Sequence, residues 1–407
     1  MNASVAAVDG PLGDRSPAGQ PQLNLAWAWF AWPAALYGLF FTALRPFNEL
    51  PYLIVIALAV PACLGVRGLV LLPGQALLIF LSVIYLLLSL FDEMPRAWTV
   101  YHDNYAALRH WSWIVTIPIL TSAFFTFLLR YREAIIGHAL KICAVVYVAR
   151  SVSLLFDRTP EFYDDIFLGR FSLYSPDNET IPVFMLLMIA AFRGDRIRAY
   201  QIAILALMVP VSTSAGTFLS SIASFGLRFI RKRRLALNAL FVALLAFLVI
   251  TPYYFSEVFD LDGNSGVRAI FWRDTQRALV DTWGVGVGFG TEYITNWFGD
   301  VGRLEWNLTP EDATDRLFIS NHSTFYDVAL RMGLVGLGLF LLMINGLVRA
   351  AASPTSAPMC ALLLISCSVV PAMTAVDTQI GISLLIAWLL VEQARPGGAE
   401  EQEGLRQ

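Results

Sequence analysis

His322 is one of four histidines in the chain and stands where a polar loop runs into an apolar stretch. An imidazole takes up a proton near neutral pH, the task of a general base acting on a hydroxyl nucleophile. Arg268 is the second candidate. A guanidinium offers a planar fork of donors to phosphate oxygens and stabilises charge growing on a pyrophosphate leaving group without a metal. Arg170 is the third, in Gly-Arg-Phe-Ser-Leu-Tyr-Ser-Pro-Asp-Asn ahead of a short apolar segment. Each has a plainer role when read singly. A loop histidine caps a helix, helical arginines form a salt-bridged solvated face with Asp274 and Asp281, and an arginine beside a membrane binds headgroups. Arg273 and Arg277 are read in that plainer way.

The elements that must position these residues are apolar helices. The chain has 407 residues, 57% hydrophobic and 14% charged, and its mean hydropathy is +0.62. Soluble domains carry about 25% charged residues, so an all-α polytopic membrane protein is predicted. Stretches of about 17–25 apolar residues are the length of a bilayer crossing. Candidate spans fall at 25–44, 50–66, 74–91, 111–129, 135–156, 180–192, 197–212, 214–229, 235–252, 326–348, 358–376 and 379–393, about twelve in all, several of them, chiefly around 180–229, shorter than that length. Pro33, Pro61, Pro118, Pro210 and Pro371 fall inside these stretches, where bundled neighbours tolerate a kink.

Arginine and lysine set the orientation. Arg67, Arg130 and Arg132, then Arg193, Arg196 and Arg198, then Arg228 to Arg234, then Arg349 all fall on one side of alternating spans, which predicts a cytoplasmic face. The organisation that follows is a disordered cytoplasmic tail at 1–22, a bundle of about nine spans at 23–252, a polar external loop at 253–325, three last spans at 326–394 and a tail at 395–407. Within the loop, 267–282 reads as an amphipathic surface helix. Gly284, Gly286, Gly288 and Gly290 lack nucleotide-loop spacing and read as a turn of close chain approach. Gly333, Gly336 and Gly338 read as a place where a neighbouring helix comes close.

The composition excludes several classes. No basic tail or patch points to nucleic acid. Cys63, Cys143, Cys360 and Cys367 all lie in apolar runs and read as small core residues. His102, Asp103 and His110 share one loop without further matching ligands, so neither a metal nor a cofactor is predicted. Charged residues are scarce in the spans, which argues against a proton-coupled carrier.

Four stretches together resemble the O-antigen ligase and polysaccharide polymerase superfamily of bacterial membrane glycosyltransferases. The most specific is His322-Ser323, nine residues, then Gly333-x-x-Gly336, a stretch that includes Tyr326. The second is Ser265-Gly266-Val267-Arg268-Ala269-Ile270-Phe271-Trp272, similar to a Ser-Gly-Arg segment followed by an apolar pair and Trp. The third is Gly284 to Gly290, and the fourth is Arg170 through Pro176-Asp177-Asn178. Strong local similarity covers about 253–340, and the remainder matches in layout. One position departs: Ala215 stands where many members carry an arginine. The resemblance implies a metal-independent, inverting transferase in the bacterial inner membrane, with its site facing the periplasm. Its donor would be a glycan on undecaprenyl pyrophosphate, and its acceptor a second glycan or a lipid A core sugar. His322 would be the base, and Arg268, Arg170, Trp272 and Tyr326 would contact substrate. Membrane lipids and other polysaccharide assembly proteins are the implied partners. A transporter or flippase for lipid-linked sugars, or a non-catalytic scaffold of an export complex, is the alternative.

Overall fold

The computed structural model describes residues 69–95, 99–126, 128–129, 188–189, 215–254, 256–258, 263–293, 321–370, 372–373 and 376–394. The spans predicted at 25–44, 50–66, 135–156 and 197–212, nearly all of 180–192, and both tails lie outside these residues.

The described chain is helical apart from one short ribbon. Helix α1 is Gln75–Leu90, and α2 runs through 104–126. Then come α3, Ala215–Phe229, and α4, Arg233–Ile250, which continues as a 3-10 turn over Thr251–Tyr254. Helix α5 is Gly263–Asp281, α6 is Thr324–Ala350, α7 is Ser356–Val369 and α8 is Val376–Gln393. Strands β1, Thr99–His102, and β2, Thr291–Tyr293, pair antiparallel, Thr99 opposite Tyr293 and His102 opposite Thr291.

Helices α7 and α8 form the centre. Almost every residue of α7 is buried, as expected for a helix apolar on all sides. Cys360 and Cys367 are free, fully buried core residues. Helix α3 packs on α7 through two polar ties: Ser224 Oγ donates to the Pro358 carbonyl and Arg228 to the Pro354 carbonyl, both at 2.9 Å. Helix α4 is the opposite case. It is apolar yet largely uncovered, with Leu235, Val242, Phe247, Val249 and Ile250 exposed. Among the described residues two segments, Arg233–Tyr254 and Thr324–Ala350, are long and apolar enough to cross a membrane.

Two expectations change. The helix in the stretch 358–376 is shorter than predicted, because α7 stops at Val369 and Val370 is extended at φ −128°, ψ 136°. Proline disfavours helical backbone in the residue before it, and Pro371 follows Val370. Helix α2 starts several residues ahead of its predicted span, because Asp103 caps it. The two Asp103 carboxylate oxygens accept the Tyr105 and Ala106 amides at 3.0 and 3.2 Å.

Candidate functional site

Residues 321–323 form the turn that opens α6, and Asn321 holds it. Asn321 is fully buried. Its backbone N–H donates to Asp327 Oδ1 at 2.7 Å, and its amide nitrogen reaches the same oxygen at 3.3 Å. Its side-chain oxygen accepts from Thr275 at 2.9 Å, and its carbonyl accepts from the Trp272 indole at 3.0 Å. Asp327 thus lies in the first turn of α6, where the helix dipole favours negative charge. With both neighbours anchored, His322 adopts φ 53°. That left-handed backbone costs a non-glycine residue about 1 kcal/mol, and such strain tends to persist where a site needs it.

The geometry turns His322 outward. Its ring lies parallel to that of Phe271, with centroids 6.2 Å apart, and the residue is exposed. Arg268 lies one turn before Phe271 on α5, so the two share a helix face. Burial pushes the His322 imidazole down from its usual 6.5 to about 4, and the nearby Arg268 cation adds to the shift. At neutral pH the imidazole is uncharged and able to accept a proton. The structure therefore brings His322 and Arg268 together, a neutral base beside a partly buried fixed cation.

Trp272 and Tyr326, which the resemblance makes substrate contacts, are both buried. They are 2% and 7% exposed and stack at 5.4 Å beneath the turn. The Tyr326 hydroxyl donates to the Leu248 carbonyl at 2.7 Å and accepts from Gln276 at 2.8 Å. Their packing braces α5 and α6 against α4, which positions Asn321 and so His322. Arg170 lies outside the described residues. Arg277 pairs with buried Asp274 at 3.8 Å. Asn321, Thr275 and Asp327 escaped the sequence reading. An acid in the first turn of a helix is the one signal that pointed to Asp327.

Beneath this turn, the glycine loop replaces part of α6. Gly333 has φ 64°, ψ −166°, a conformation closed to residues with a side chain, and interrupts the helix. The loop supplies the missing partners. The Leu334 amide donates to the Gly284 carbonyl at 2.8 Å, while the Leu330 and Arg331 carbonyls accept the Val287 and Gly288 amides at 2.8 and 3.1 Å. A Cβ on Gly286 would come within 2.7 Å of the Gly333 nitrogen, and one on Gly333 would strike the Gly284 and Val285 carbonyls. What approaches Gly333 is thus a loop, not the neighbouring helix predicted, and no atom lies near enough to Gly338 to need its glycine. The ribbon end is also tied in: His110 Nδ1 accepts the Gly290 amide at 3.3 Å. Burial, with Arg331 and Arg109 adding to it, pulls the His110 pKa strongly down. His110 is therefore a neutral acceptor and Asp103 a helix cap.

Among the described residues no group of three or more His, Cys, Asp or Glu side chains is arranged to hold a metal. No protein-family model, no curated protein and no solved structure matches the chain.

Proposed function

We propose that this chain is a membrane-embedded glycosyltransferase of the O-antigen ligase and polymerase type. It moves a glycan from undecaprenyl pyrophosphate to a sugar hydroxyl during assembly of a bacterial surface polysaccharide. The observation that supports this reading best is the pairing of exposed, neutral His322 with Arg268 at the mouth of a helix long enough to cross a bilayer. A base and a phosphate-binding cation side by side are what a direct displacement at an anomeric carbon needs.

In this mechanism His322 removes the acceptor hydroxyl proton as the oxygen attacks the anomeric carbon. The carbon–oxygen bond to pyrophosphate breaks on the opposite face, which inverts the configuration. Arg268 holds the departing lipid pyrophosphate as it gains charge. The reading includes about twelve spans in the inner membrane, cytoplasmic termini and a periplasmic 253–325 loop. Ala215, in place of an arginine common in the family, favours a polymerase over a ligase.

The test is a deletion strain complemented at matched expression with wild type, His322→Ala or Arg268→Ala, followed by glycan profiling. Both variants are expected to lose the mature polymer and accumulate undecaprenyl-linked units. Single repeat units indicate a polymerase, and long unattached chains a ligase. Normal polymer from both variants sinks the transferase reading and favours a transporter or a scaffold.

A further inference from the structure

The outer surface of α6 changes abruptly along its length. Residues 324–333 are all buried by surrounding protein, and exposure begins at Leu334. From there outward-facing apolar side chains appear: Leu334 at 57%, Val335 at 62% and Leu342 at 54% exposed. The stretch from Leu334 to Ala350 is about 25 Å long, close to the roughly 30 Å hydrocarbon core of a bilayer. The residue beside this change is Trp283. It is 94% exposed, with Val280 at 76% and Val285 at 41% around it. Gly284, its neighbour, packs on the Leu334 side chain. Trp283 ends α5 in left-handed backbone, φ 54°, a position usually filled by glycine. Exposed Arg277 and Asp281 stand within two helical turns before Trp283 in the chain.

A large aromatic ring fully outside the protein, joined to the uncovered face of a spanning helix and close in the chain to charge, has the chemistry of a lipid interface. Tryptophan collects there because its ring is apolar while its N–H is wet. We infer that Trp283, with Val280, Val285, Leu334 and Val335, inserts into the bilayer interface on the His322 side. The lipid boundary then crosses α6 at the Gly333 break. The first ten residues of α6, about 15 Å of helix, stand clear of the hydrocarbon and carry His322 above it. The inference rests on the membrane reading above and adds where the boundary lies.

The test uses full-length protein in nanodiscs of phosphatidylethanolamine and phosphatidylglycerol. Its native cysteines are replaced, and bimane is attached at Trp283→Cys, Val335→Cys or Leu342→Cys in turn. Quenching is read with headgroup-proximal nitroxide lipid, mid-chain nitroxide lipid and aqueous iodide. The bimane at position 283 should be quenched about twofold more by the shallow nitroxide than by the deep one, and that at 342 should show the reverse order. Iodide quenching at 283 without lipid quenching overturns the anchor, while lipid quenching at 342 keeps the membrane reading. No quenching at 283 by any agent means that protein covers the ring, which also overturns it. Lipid quenching at neither 342 nor 335 removes the membrane reading and the anchor with it. If Trp283→Cys fails to fold, Val335→Cys carries the measurement, with shallow quenching expected there too.

Discussion

At the residue scale, the site depends on an imidazole and on a fixed cation that disfavours its protonation. Burial and the Arg268 cation both disfavour imidazolium, so the His322 pKa lies below its ordinary 6.5. A general base works only when unprotonated, so activity is kept above that lowered pKa and lost as pH falls through it. The acid limb of kcat/KM for the purified enzyme, measured with lipid-linked donor and acceptor, is expected clearly below 6.5. Arg268→Gln removes that fixed cation, so residual activity in that variant should fail at a higher pH. A wild-type limb at 6.5 or above, or a limb that the substitution leaves in place, contradicts this assignment. Asn321 sets the geometry of the same base. Four hydrogen bonds converge on it from α5 and α6, and the residue after it is held left-handed.

At the element scale, α6 is two helices joined by a loop that stands in for backbone. The carbonyls and amides freed at Gly333 are bonded by Gly284, Val287 and Gly288, which meets the requirement that buried backbone groups be satisfied. This close approach excludes side chains at its centre. Gly333→Ala combines a forbidden backbone with backbone collisions and should destabilise by about 3 kcal/mol or more. Gly338→Ala meets nothing within 4 Å in a helical setting, and there alanine should be neutral or stabilising by up to about 1 kcal/mol. Thermal unfolding of both variants in one detergent is the comparison. Equal midpoints would mean that the loop does not pack on Gly333.

At the scale of the whole molecule, a central pair of buried helices is surrounded by others that leave apolar surface outside. In water the exposed side chains of α4 would be unfavourable, whereas in lipid they are the contact surface. The basic cluster from Arg231 to Arg234 lies at one end of α4 and Tyr253 and Tyr254 lie at the other, a polarity that the positive-inside rule turns into an orientation. Alkaline phosphatase joined after residue 300 is therefore expected to be active in cells. Fused after Lys232 it should be inactive, while a fluorescent protein at that point should glow. The reverse pattern would invert the assigned sides.

Hydropathy by itself located the apolar helices of the described chain, though not the start of α2 or the end of α7, because a run of apolar residues needs no partner to be recognised. Residue type and spacing, read with the family resemblance, singled out His322, Arg268 and the glycine loop, because their intervals are short and local. Tertiary structure alone decided what those residues touch. Nothing local marks Trp272 and Tyr326 as buried, yet α4, α5 and α6 close over them. Gly333 looks like a helix-packing glycine, yet its partner is a loop 43 to 49 residues earlier in the chain, at Gly284 to Gly290. Asn321 and Asp327 carry no motif, and their importance arises from bonds made across 46 and 49 residues of chain and across the first turn of α6. Local pattern reports periodicity and residue chemistry. Which surface ends up covered depends on contacts between distant segments, and those exist only once the chain has folded.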